Sequence, residues 1–99
     1  MIVIAGHETT SSLMTWTLYN LASHADIYHR CQSEVDSATT FSSLQYVEMV
    51  LKESLRLYPP IPLLPRTAVK DNILITVDGN RIHVKQGTEV AVNLYTLHQ

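Results

Sequence analysis

The chain has 99 residues, of which 45% are hydrophobic and 16% charged, with a formal net charge of −2. That is enough for one small globular domain, and it lacks the basic balance that a nucleic-acid surface requires. A single cysteine, Cys31, excludes an internal disulfide framework and a multi-cysteine zinc site.

Positions 1–22 pattern as a helix. Leu13, Trp16, Leu18, Tyr19 and Leu21 spread over more than one stripe of it. Glu8 is the one acidic or basic residue in the run, leaving histidine aside. A helix so poor in charge suits the interior of a large fold, because a lone small domain normally solvates one face. His7 and Glu8 break the apolar start before a membrane-spanning length is reached, and no basic run precedes it. Neither a transmembrane segment nor a signal peptide is expected.

Ala5-Gly6-His7-Glu8-Thr9-Thr10 is the first stretch with chemical interest. Glycine inside a helix costs about 1 kcal/mol against alanine, so Gly6 needs a packing or functional reason. Without a side chain there, a flat ligand can approach the backbone. Thr9 can bond back to the carbonyl of Ala5 and bend the helix at that point. Two readings stay open. Glu8 and Thr9 form a carboxyl–hydroxyl pair for proton relay, or the stretch is a glycine kink with two solvated polar groups. His7-Glu8 is not a zinc-protease motif, because position 11 is Ser11 rather than histidine. His24, His29, His83 and His98 show no ligand spacing either, so no metal ligand is assigned.

A second helix is expected over 23–38, with Ser23 as its N-cap and Asp26 as a weak capping-box partner. Ile27, Cys31, Val35 and Ala38 recur at helical spacing, and Cys31 reads as a small buried hydrophobe rather than a nucleophile. A polar link follows, with Ser42 or Ser43 available to cap the next helix. That third helix spans 44–58 and stops at Pro59-Pro60, because proline lacks the N–H the helix needs and restricts the residue before it. Glu48 and Lys52 read as an ordinary i,i+4 surface pair. Glu53 and Arg56 lie about 60° apart on the wheel and can meet. Apolar residues surround most of this helix, so geometry leaves the second pair open between a surface ornament and a buried structural pair.

From 61 to 65 the chain should be extended, and over 72–95 the period becomes two. Ile73 to Val77 runs into Asp78-Gly79-Asn80, a hairpin signal, and Arg81 to Lys85 alternates again. Gln86-Gly87 marks a second turn, and Glu89 to Tyr95 reads as a third strand. The order predicts a mixed α and β chain, mainly helical, with small antiparallel strands.

Together, Ala5-Gly6-His7-Glu8-Thr9-Thr10, Trp16, Glu53-Ser54-Leu55-Arg56, Pro59-Pro60-Ile61-Pro62 and Arg66 resemble the cytochrome P-450 superfamily of heme-thiolate monooxygenases. The resemblance runs from Ala5 to His98, and its flavour is that of eukaryotic microsomal members, loosely the fatty-acid ω-hydroxylase-like branch. It implies that residues 1–99 are a fragment of one such domain, beginning in the C-terminal half of the distal helix. It also implies roles. Ala5 and Gly6 would belong to the oxygen-binding groove beside heme b, and Glu8 and Thr9 would be the catalytic acid–alcohol pair that supplies protons. Glu53 and Arg56 would be the structural ion pair, and Arg66 would reach a heme propionate, a contact that suits a guanidinium. The segment Pro62 to Arg66 would border the substrate pocket. The parent would insert one oxygen atom from O2 into a lipophilic substrate, with electrons from a reductase. It would sit at the endoplasmic reticulum membrane, held by segments outside this sequence.

Departures from the family pattern shape a second expectation. The axial cysteine of the family lies in a glycine-rich loop downstream of the position matching Gln99, and Cys31 matches no such motif. The axial thiolate drives O–O cleavage, so the 99-residue chain alone is not expected to bind heme in thiolate form. Ala25 stands where a proline is typical, and the link Ser37 to Ser43 is shorter than usual. The alternative reading is a non-catalytic, truncated or pseudogene-derived remnant without heme-thiolate activity.

Overall fold

A computed structural model describes residues 2–98. They form α1 (Ile2–Ser23), α2 (Ala25–Ser37), a 3-10 turn (Phe41–Ser43), α3 (Gln45–Leu57), β1 (Leu63–Thr67), β2 (Asn72–Ile75), β3 (Arg81–Val84), β4 (Glu89–Asn93) and α4 (Leu94–His98). None of the described helices is long and apolar enough to cross a membrane.

Both serine caps expected from the sequence are corrected. The Ser23 hydroxyl donates to the carbonyl of Tyr19, four residues back, at 3.0 Å, so α1 runs through Ser23 instead of ending before it. His24 takes the N-cap position of α2 and makes no side-chain cap bond. Ser43 likewise turns its hydroxyl to the carbonyl of Thr40 at 2.7 Å, inside the 3-10 turn, and Leu44 precedes α3 with no capping group. In each case a local serine–carbonyl bond consumes the hydroxyl that a cap would have used.

The first N–H groups of a helix have no partner within it. For α3 the partner comes from another helix. The Glu34 carboxylate on α2 accepts the Tyr46 and Val47 N–H groups, one per oxygen, each at 2.9 Å.

The strands form two separate two-stranded antiparallel sheets. β2 and β3 make the expected hairpin, with Ile73 opposite His83 and Leu74 opposite Ile82. Gly79 closes its turn at φ +79, a conformation that glycine adopts without strain. The other sheet differs from expectation. Positions 61–65 were expected to be merely extended, yet β1 pairs with β4, placing Leu64 opposite Val92 and Arg66 opposite Val90. The third strand also ends earlier than expected. Leu94 and Tyr95 belong to α4, because the Asn93 side-chain oxygen accepts the Thr96 N–H and starts a helical turn.

Helices α1, α2 and α3 pack against one another, and Thr17, Cys31 and Ser54 are buried among the described residues of these helices. Ser54 is 2% exposed; its small side chain lets α3 lie close to α1. Trp16 of α1 stacks on Tyr58 at the end of α3, with ring centroids 4.1 Å apart and planes 5° from parallel. Much apolar surface stays uncovered, including Val3, Met14, Leu18 and Phe41. The accessible surface is 8209 Å2, whereas a compact monomer of this mass exposes roughly 5,700 Å2. The radius of gyration is 19.0 Å, against about 13 Å for a compact domain of similar length. The charge-poor α1 is therefore exposed along faces that its composition suits for burial.

Candidate functional site

Threonine at the centre of a charge-poor helix has one local partner, the carbonyl a turn earlier. Thr9 uses it. Its hydroxyl donates to the Ala5 carbonyl at 2.7 Å, and Thr15 and Thr17 repeat the pattern further along α1 at 2.7 and 2.8 Å. Donating its proton to Ala5 leaves the Thr9 oxygen free to accept from a neighbour. Glu8 is exposed beside it. A Cβ built on Gly6 meets nothing within 4 Å, so no side chain of this chain accounts for the glycine. Ala5 and Gly6 are exposed, and the space beside Gly6 is open.

Thr9 also borders a cleft of about 420 Å3, whose other walls are Leu55, Pro59, Pro60, Ile61, Leu94 and His98. The helix end at Pro59-Pro60 and the start of α4 thus come together against Thr9 of α1. Three segments far apart in sequence share one mostly apolar wall.

Glu53 and Arg56 are brought together on α3. Arg56 donates from Nε to one carboxylate oxygen at 2.8 Å and from Nη2 to the other at 2.7 Å. A two-point contact of this kind is the strong form of an arginine–carboxylate pair. The hydrogen bonds from Arg56 hold the Glu53 carboxyl below its ordinary range, and Glu53 raises the guanidinium in turn. The third Arg56 contact is the His98 carbonyl of α4, at 2.6 Å. Of the two readings that the helix wheel left open, neither extreme describes the pair within these residues, where it is partly exposed. The two side chains are 41% and 55% exposed, because α4 covers that side of α3 only in part. The surface pair of Glu48 and Lys52 forms as well, at 2.6 Å and with greater exposure.

Arg66 lies apart from the cleft, exposed on β1, with Nη1 donating to the Pro65 carbonyl at 2.9 Å. Cys31 is 8% exposed. Burial first, and the nearby Glu34 second, push its thiol above the ordinary cysteine range. A buried, protonated thiol is unreactive and a poor metal ligand. Among the described residues, no group of three or more His, Cys, Asp or Glu gathers to hold a metal ion.

Sequence reading missed three groups: the Glu34 carboxylate, the Trp16–Tyr58 stack and α4. Asn93 carried a legible signal for α4, being a favoured N-cap residue. Contacts across a dozen or more positions leave no local pattern, so Glu34 and the stack carried none.

A family model described as cytochrome P-450 matches residues 1–99. Cytochrome P-450 3A16 of Mus musculus is 38% identical over 107 residues, covering 99% of this chain and 20% of that protein. The chloroplastic cytochrome P-450 97B1 of Pisum sativum is 36% identical, again over 99% of this chain and 20% of the relative. A crystal structure of a cytochrome P-450, CYP102L1, superposes with a TM-score of 0.82 at 30% identity, covering 97% of this chain and 24% of that one. The chain spans about a fifth of the length of the curated relatives it matches. The mouse alignment is longer than the chain itself, so that relative carries residues within the matched stretch that this chain lacks.

Proposed function

The chain belongs to the cytochrome P-450 family, and from that premise we propose that it is part of a heme-dependent monooxygenase acting on a lipophilic substrate. The carrying observation is the cleft that Thr9 shares with Pro59, Pro60, Ile61 and Leu94. An apolar wall with one hydroxyl on it suits a lipophilic molecule better than a charged one.

The open space beside Gly6 would take a flat macrocycle on one side. A group with no Cβ, bordered by empty space at Gly6, admits a planar ligand against the helix. Ala5 and Gly6 would line that face, and Arg66, exposed on β1, would pair with a propionate. Bound heme would supply the activation of O2. The chain's own residues would manage protons. Thr9 donates its hydroxyl proton to the Ala5 carbonyl and keeps lone pairs open, so its oxygen would accept a hydrogen bond and hold a proton donor in place. Glu8, exposed beside Thr9, would carry protons in from solvent. Glu53 and Arg56 would fasten α3 to the rest of the whole protein, which would cover the side of the pair that is open here. Electrons would come from a reductase, and the whole protein would attach to the endoplasmic reticulum membrane through segments outside these residues.

Four measurements test the reading. The reduced, carbon monoxide-treated whole protein should show a thiolate-type Soret band, and its absence would overturn the monooxygenase assignment. The 99-residue chain reconstituted with hemin should show none, because its only thiol is the buried Cys31. In the whole protein, Thr9→Ala should lower product formed per electron consumed. An unchanged ratio would remove Thr9 from the relay. A fluorescent fusion found in chloroplasts or mitochondria would overturn the membrane assignment.

A further inference from the structure

Glu34 has no part in the proposed chemistry, yet it makes the most specific contact between two helices. One carboxylate oxygen accepts the Tyr46 N–H and the other the Val47 N–H, across 12 and 13 positions of sequence. These donors open α3, where Leu44 offers no capping group. A carboxylate at a helix N-terminus also meets the positive end of the helix dipole. One turn before Glu34, the Arg30 guanidinium lies 4.1 Å from the centroid of the Tyr46 ring. Tyr46 is therefore held twice from α2, by its backbone and by its ring. The link between the helices contains a single 3-10 turn. A short link limits how far α3 can stray, but it does not set the angle of the helix.

We infer that Glu34 is a positioning residue, a two-oxygen clamp that fixes the N-terminus of α3 on α2 and thereby sets where Glu53 and Arg56 stand. This inference is independent of the monooxygenase reading, since it concerns only how α3 is held. The clamp responds to acid. Its two backbone donors hold the Glu34 carboxyl below the usual glutamate range, with Arg30 adding in the same direction. From its own helix Arg30 and Cys31 face it, and from α3 it meets neutral backbone N–H groups beside the Tyr46 ring. A carboxyl with a lowered folded pKa contributes its full share above the unfolded value and loses it as pH falls through the folded one. The clamp is closed at neutral pH and opens in acid.

Nitrogen-15 NMR and hydrogen exchange on the whole 99-residue chain test this. The amide signals of Tyr46 and Val47 should titrate with one shared midpoint below the usual glutamate range. Glu34→Ala should abolish that step, speed exchange of both amides by about tenfold, and move the Arg56 Nε–H signal. Glu34→Gln keeps one acceptor oxygen and turns an NH2 group toward the other donor, so it should retain slow exchange at one of the two amides. Amides of the β1–β4 ladder should not change. An Arg56 signal unmoved in Glu34→Ala would overturn positioning, and an equal loss across β1–β4 would make Glu34 a general stabiliser instead. If Glu34→Ala does not fold, the unsubstituted chain decides: separate midpoints for Tyr46 and Val47 refute the clamp.

Discussion

The three long helices and the β2–β3 hairpin are held together in opposite ways. Each helix depends on its neighbours: Ser54 and Thr17 are buried where helices meet, Glu34 bonds from α2 to α3, and Trp16 reaches from α1 to Tyr58. The hairpin depends on itself. Its ladder bonds join β2 only to β3, Gly79 supplies the turn, and Ile75 and Val77 are 69% and 106% exposed. Damage to a helix should therefore travel, whereas damage to the hairpin should stay where it is made.

That contrast is open to graded tests. The largest effect is expected from Trp16→Ala. Removing a large aromatic from a packed site costs roughly 3–5 kcal/mol, and partial exposure lowers this to about 2–3 kcal/mol. Urea denaturation followed by far-ultraviolet circular dichroism measures it; a loss near zero would mean that α1 and α3 are not coupled through the stack. Next is Ser54→Leu, which forces three extra carbons into a closed helix contact and should cost about 1–3 kcal/mol. Increased stability would show a void there instead. Gly79→Ala places a Cβ where φ is positive, a strain of about 1–2 kcal/mol. Hydrogen exchange should report it in Ile73 to Arg81 alone, and faster exchange in α3 would break the comparison. The smallest effect belongs to Lys52→Ala, which removes an exposed i,i+4 pair worth about 0.3–0.5 kcal/mol. Mild acid should act in the same graded way. The lowered Glu53 carboxyl contributes most above the ordinary glutamate range and loses its contribution as pH falls through its folded value, so acid should loosen α3 before it affects the hairpin.

What could be read from the sequence follows the range of the forces involved. The Asp78-Gly79 turn, the helix stop at Pro59 and the bond from Thr9 to Ala5 are set within a few residues, and all appear in the structure. The placement of Thr9 beside Pro59 and Leu94 depends on how α1 crosses α3, which no local pattern encodes. The failed caps teach a narrower lesson. Ser23 and Ser43 had the right chemistry at the right place, but a hydroxyl at a helix end can bond backwards as readily as forwards. The partial exposure of Glu53 and Arg56 has another origin: the apolar pattern around them describes surroundings that these residues do not supply. The site roles suggested by resemblance are of the same kind, because they concern groups that would approach from outside the chain.

The aromatic stack has an optical consequence. Trp16 is the only tryptophan in the chain, and it lies flat on Tyr58 where α1 meets the end of α3. Its emission therefore reports one contact between helices, beside the Tyr19 ring of its own helix, with no competing indole. Parting of the two helices would release the indole from the phenol ring into water and shift the emission to longer wavelength, while loss of the hairpin would leave it unchanged. The protein thus contains its own gauge for the closing of α1 on α3, readable at micromolar concentration without a label.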